Sequence, residues 1–129
     1  MQRDMDLVRT ILIKIDEAKQ PIRMIDLLAE DATDDDLAAV QYHLAMLVDE
    51  VGFVRGIKAH TLGGKNWIDL NLTWNGHEFL DNVRDPEIWR QTKTGAVKAG
   101  QWSIKTLADI AVAIGKARIE QLITTGQLL

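Results

Sequence analysis

"VQYHLAMLVDEVGFV", residues Val40–Val54, holds a change of period that decides the fold. Val40, Leu44, Leu47, Val48 and Val51 recur at helical spacing, and Leu37 extends the stripe upstream. Thr33 stands where an N-cap is wanted, and Asp34, Asp35 and Asp36 fill a first turn that the helix dipole makes favourable for acids. The pattern predicts a helix over about 33–50, stopped by Gly52. Beyond Gly52 the period becomes two. In "WIDLNLT" (Trp67–Thr73), Ile68, Leu70 and Leu72 alternate with Asp69 and Asn71, the sign of a half-buried strand. "FVRGIKAHTL" (Phe53–Leu62) forms the other arm, and Gly63-Gly64-Lys65-Asn66 supplies turn chemistry. A β-hairpin over about 54–61 and 67–72 follows.

Upstream, residues 4–19 place Leu7, Val8, Ile11, Leu12 and Ile15 on one helical face and leave Asp4, Lys14 and Asp16 for water. Pro21 breaks this helix and suits the first turn of another. Ile22–Glu30 then reads as a short second helix with Ile22, Ile25 and Leu28 inward. Downstream, Thr73 caps a helix to about Val83. Asp85-Pro86-Glu87 opens the next, which runs to about Ala99 and is weakened by Gly95. Ser103 caps a last helix with Ile104, Leu107, Ala111, Ile114 and Leu122 near one stripe. Ala99–Gln101 is the one soft joint.

The 129 residues suffice for one domain with a real core. There is no cysteine, which excludes disulfides and thiolate metal sites. No signal peptide or membrane-length apolar run is visible, so a soluble, cytoplasmic protein is expected. The net charge of −4 hides an asymmetry. Residues 1–52 carry 5 Lys/Arg against 12 Asp/Glu, and residues 53–129 carry 10 against 7.

Three helices, a hairpin and further helices give a mostly α, α+β fold in the order of a winged helix-turn-helix. Residues 1–72 would form the core, with the wing at about 54–72, and 73–129 a C-terminal helical extension packed on the same single domain. The local wording agrees. Val40, His43, Leu44 and Leu47 fit the V-x-x-H-L-x-x-L of a helix entering a wing, and "LTWNGHEFL" (Leu72–Leu80) fits the L-T-x-x-G-x-x-x-L that leaves one. With "RDMDLVRTIL" (Arg3–Leu12), "YHL" (Tyr42–Leu44) and "LTWNGHEFLDNVRDPEIW" (Leu72–Trp89), nearly the whole chain resembles an uncharacterised bacterial family, domain of unknown function 2513, frequent in phages and prophages. The resemblance implies a fold and a mobile-element setting, and no activity or functional residues. "LVDEVGF" (Leu47–Phe53) departs from the family pattern by one extra residue.

Catalysis is poorly provisioned. Ser103 is the only serine and reads as a cap, so no enzyme is expected. His43, His60 and His77 share no ligand spacing, and the position four after His77 is Asp81, where a zinc peptidase helix needs a second histidine. His77 and Asp81 read as neighbours one turn apart on an outer face. "GGK" (Gly63–Lys65) lacks the frame of a phosphate loop. No metal or cofactor is expected. Trp74 and Trp89 are expected to pack, Trp67 and Trp102 less firmly.

If the 33–50 helix enters a major groove, Asp35, Ala38, Gln41, Tyr42, Ala45 and Asp49 form its outer face. Gln41 could read adenine and Tyr42 touch a phosphate. In the hairpin, Arg55, Lys58, His60, Lys65 and Asn66 could follow a backbone or minor groove. The expected partner is double-stranded DNA, bound by a regulator dimerised through its C-terminal helices. The alternative is an adaptor whose acidic helix face meets a host or phage protein, since three aspartates repel phosphate.

Overall fold

The computed structural model describes residues 1–61, 64–100 and 103–124, with the side chains of all but residues 61, 64 and 65. It is an α+β, mostly helical protein, with five α-helices and one two-stranded antiparallel hairpin among the described residues. Two compact units, Met1–Glu78 and Phe79–Leu129, divide the chain.

In the first unit, helix α1 spans Met5–Glu17 and buries Met5, Val8, Ile11, Leu12 and Ile15. Asp4 and Lys14, expected in water, both have structural tasks. The Asp4 carboxylate caps α1 by accepting from the Leu7 N–H, and the Lys14 ammonium donates to the Leu27 carbonyl at 3.2 Å. Helix α2 spans Asp34–Ala45. Thr33 and Asp36 form a reciprocal capping box at its start.

The expected second helix over Ile22–Glu30 is not formed. Ile22 is extended and pairs with Leu70, Leu70 N–H donating to its carbonyl at 2.9 Å. Only Met24–Leu27 coils, as a single 3₁₀ turn, and Leu28 is extended again. A segment this short gains little from its own hydrogen bonds, so a strand edge competes successfully for its backbone. The inward residues are therefore Met24 and Leu27, while Ile25 is exposed.

After Ala45 the chain stays helical but changes pitch. Met46–Val51 is a π-helical turn, and Gly52 leaves it in the left-handed region at φ 74° with its N–H on the Leu47 carbonyl. A π turn closes each ring around one residue more than an α turn does. Leu47 is buried within this turn, and β1 begins two residues after Gly52, at Val54.

Strands β1 (Val54–Thr61) and β2 (Gly64–Leu72) pair from Val54↔Leu72 to Thr61↔Gly64. β2 thus begins three residues earlier than its alternation suggested, and the turn between Thr61 and Gly64 lies outside the described residues. Opposite Gly56, β2 carries two residues, Asp69 and Leu70, where β1 has one. Asp69 takes the left-handed conformation at φ 52°, which aspartate tolerates better than most side chains. The bulge frees Leu70 to meet Ile22.

Helix α3 spans Trp74–Val83, α4 Pro86–Ala99 and α5 Ile104–Thr124. Asp85 caps α4 by accepting from the Glu87 and Ile88 N–H groups, with Pro86 in the first turn. Its carboxyl lies below the usual carboxylate range, chiefly through the Ile88 N–H and then the Arg118 guanidinium. Ser103 caps α5. Gly95 has a packing reason: a Cβ there would stand 3.1 Å from Ile110 on α5. Of the α5 stripe, Leu107 and Ala111 are buried, whereas Ile104, Ile114 and Leu122 are half-buried. Gln101, in the expected soft joint, and Trp102 lie outside the described residues.

No helix among the described residues is long and apolar enough to cross a membrane.

Candidate functional site

Sequence reasoning offers seven residues for a nucleic-acid interface, Gln41 and Tyr42 on the helix and Arg55, Lys58, His60, Lys65 and Asn66 on the hairpin, and the structure divides the hairpin set. Successive strand residues alternate between faces. On β1, Lys58 and His60 share the face of buried Val54, while Arg55 lies on the other. Asn66 pairs with Ala59 and so falls on the Arg55 side, and its side-chain oxygen accepts from the Trp67 N–H at 2.9 Å. The Lys65 side chain lies outside the described residues; its backbone pairs with His60.

Lys58 is held in place. Its ammonium stands 3.7 Å from the Asp49 carboxylate and 5.1 Å from the centroid of the buried Trp67 ring. Asp49 belongs to the π turn that continues α2. The middle of β1 is thus fastened to the π turn by a cation between a carboxylate and an aromatic face. The pair is partly exposed, so salt and water weaken it.

On α2, Tyr42 is exposed and Gln41 half-buried, in keeping with an outward side. Beside them His43 is buried, and its ring meets Tyr42 edge-on with centroids 5.3 Å apart. Its Nε2 accepts the Asp4 N–H at 2.8 Å, so Nδ1 carries the proton and donates to the Ala39 carbonyl at 2.7 Å. With Val40, Leu44 and Leu47 equally buried, the V-x-x-H-L-x-x-L motif belongs to the core. Among the described residues, no buried side-chain nitrogen or oxygen lacks a partner, and no three His, Asp or Glu gather as metal ligands.

The joint at Thr73 is built as tightly. The Thr73 hydroxyl donates to the Gly52 carbonyl at 2.6 Å and accepts the Gly76 N–H at 3.1 Å, while the Thr73 N–H donates to the Phe53 carbonyl at 2.9 Å. A Cβ on Gly76 would collide with the Phe53 carbonyl. The threonine and glycine of "LTWNG" therefore seat α3 on the turn that ends the π segment.

His77 and Asp81 are both exposed on α3, as expected, and His77 Nδ1 also lies 3.5 Å from an Asp16 carboxylate oxygen on α1. One expectation about this stretch is corrected. Trp74, expected to pack, is 78% exposed, its indole N–H held by Glu78 at 2.7 Å. A first-turn position looks outward here because Gly76 must face Phe53. Trp67 and Trp89 are both buried.

Sequence reasoning also missed a cleft of about 290 Å³ within the first unit. The end of α1, the Lys19–Pro21 link, both strands at the hairpin root and His77 line it. Its residues come from separate stretches of chain, so no local spacing announces it.

The family model described as "Hypothetical protein (DUF2513)" matches residues 2–102. An uncharacterized protein of Haemophilus influenzae (strain ATCC 51907 / DSM 11121 / KW20 / Rd) is 36% identical over 94 residues, covering 73% of this chain and 77% of the relative. No solved structure matches the chain significantly. The protein belongs to the hypothetical-protein family DUF2513.

Proposed function

We propose that the protein is a winged helix-turn-helix DNA-binding regulator, with α2 as the recognition helix and β1–β2 as the wing. One observation carries this reading: the 3.7 Å Lys58–Asp49 contact ties the hairpin to the π turn that continues α2. Gln41 and Tyr42 would meet base edges and phosphate in a major groove, and His60 and Lys65 at the hairpin end would follow the neighbouring backbone. The Ile22–Leu70 bridge supports the same topology by tying the link between helices to the wing. A cytoplasmic regulator of a mobile element, dimerised through the C-terminal helices, fits this reading.

Titrating labelled duplex DNA against the protein over a salt series tests it. Affinity is expected to fall steeply with salt, and a Lys65→Ala variant to bind more weakly with a log–log slope shallower by about 1. No binding to any duplex at low salt would refute the reading.

A specific observation favours a second reading. Asp34–Asp36 open the α2 side, and the Lys58 charge is already countered by Asp49. A protein partner with a basic surface suits that face better than a phosphate backbone. An adaptor of this kind loses its partner on Asp35→Lys or Tyr42→Ala while duplex DNA leaves the chain unaffected.

A further inference from the structure

Arg55 does not belong with the other hairpin cations. The register puts it on the face opposite Lys58, and there it lines the cleft at the root of the hairpin. Lys19 lines the same cleft from the link after α1. Neither cation has an ion-pair partner among the described residues. The one carboxylate in the lining, Asp16, faces His77 at 3.5 Å. Buried Ile15 and Leu72 form an apolar floor under these polar groups. The cleft thus joins a guanidinium fork, an ammonium and an apolar base in about 290 Å³, at the small end of ligand sites.

We propose that this cleft binds a small phosphate monoester, its dianionic head held by Arg55 and Lys19 and its organic part lying over Ile15 and Leu72. Two cations against one carboxylate leave the lining net positive, which suits an anion, and the fork of Arg55 matches two phosphate oxygens. The small volume of the cleft suits an organic part of a few carbons. This site is separate from the proposed DNA-binding face and does not depend on it.

The test is a titration of the ¹⁵N-labelled full chain with inorganic phosphate, and then with glycerol 3-phosphate, followed by amide NMR shifts. Sodium chloride at matched ionic strength is the control, and a short DNA duplex is a separate arm. Saturable shifts confined to residues 15–20, 55, 71–72 and 77 are expected, with glycerol 3-phosphate binding more tightly than phosphate. Arg55→Gln is expected to weaken binding about tenfold or more, and Arg55→Lys less, because it keeps the charge but loses the fork. Arg55 is exposed, and the same spectra verify the fold of each variant. Equal shifts with chloride, saturable binding untouched by Arg55→Gln, or movement of these amides by duplex alone would each overturn the proposal.

Discussion

Gly76 has no room for a side chain, because its α-carbon faces the Phe53 backbone and backbone cannot swing aside. Gly76→Ala must therefore push the start of α3 off its seat and strain the Thr73 hydrogen bonds to Gly52 and Phe53. A loss of about 3 kcal/mol is expected in urea unfolding, against about 1 kcal/mol for Thr73→Ser, which keeps the hydroxyl. Equal stability of Gly76→Ala and the parent would show that the seat is not rigid. Glu87 offers a residue-scale test of charge. The Arg90 side chain first, and then the Gln91 amide, lower its carboxyl from 4.5 to about 2. Its folded value is below its unfolded one. The favourable contribution is thus fully present above about pH 4.5 and lost as pH falls through 2. A carboxyl-carbon NMR titration is expected to return the low midpoint in the parent and a higher one in Arg90→Ala. The exposed position means that salt raises it too. At this scale the sequence was legible where a residue has a local partner. Thr33, Asp85 and Ser103 each reach an N–H two or three residues on, and each stands in the sequence where a helix opens. Asp4 and His43, 39 residues apart, meet only after folding, so nothing in their spacing shows that one ring satisfies the other's N–H.

At the scale of elements, the π turn is the instructive case. Helix period and the Gly52 stop fixed where the helix ends, but period cannot show that the last six residues wind more loosely. The surplus residue could be seen only against a family pattern. If Met46–Val51 absorbs one residue, then deleting exposed Glu50 should let the segment close as ordinary α-helix and leave Leu47, Gly52 and Phe53 in register. Far-UV circular dichroism is expected to be preserved, and the midpoint of thermal unfolding to move by only a few degrees. Insertion of an alanine at the same place should cost far more, because the turn has already accommodated one residue. A deletion variant that fails to fold would show that the wide turn is required. The short helix expected at Ile22–Glu30 failed for a reason of the same scale: Ile22 gains a strand partner, Leu70, that lies 48 positions away. Helical spacing at Ile22, Ile25 and Leu28 could not weigh that competitor.

At the scale of the whole molecule, alternation and turn residues revealed the hairpin, and caps revealed the last three helices. The candidate site was legible only as a set of residue types. Assignment to one face or the other depended on register, which the Asp69 bulge and an early β2 start together determine. The α5 helix leaves Val112, Ile119 and Ile123 exposed, more apolar surface than its own packing uses. If these cover a second copy in the proposed dimer, sedimentation at tens of micromolar is expected to give twice the monomer mass, and Ile119→Glu, Ile123→Glu to restore 14.5 kDa. A monomer for the parent chain under those conditions removes dimerisation from the reading.

The uneven exposure of the tryptophans makes the chain its own optical sensor. Trp67 and Trp89 are shielded from the solvent, whereas Trp74 stands in it with its indole anchored by Glu78. In a Trp102→Phe background, iodide should quench the red side of the emission band, which Trp74 supplies, and leave the blue side nearly intact. A ligand or partner that covers the first turn of α3 would shift that band to shorter wavelength and protect it from iodide, without any label being attached.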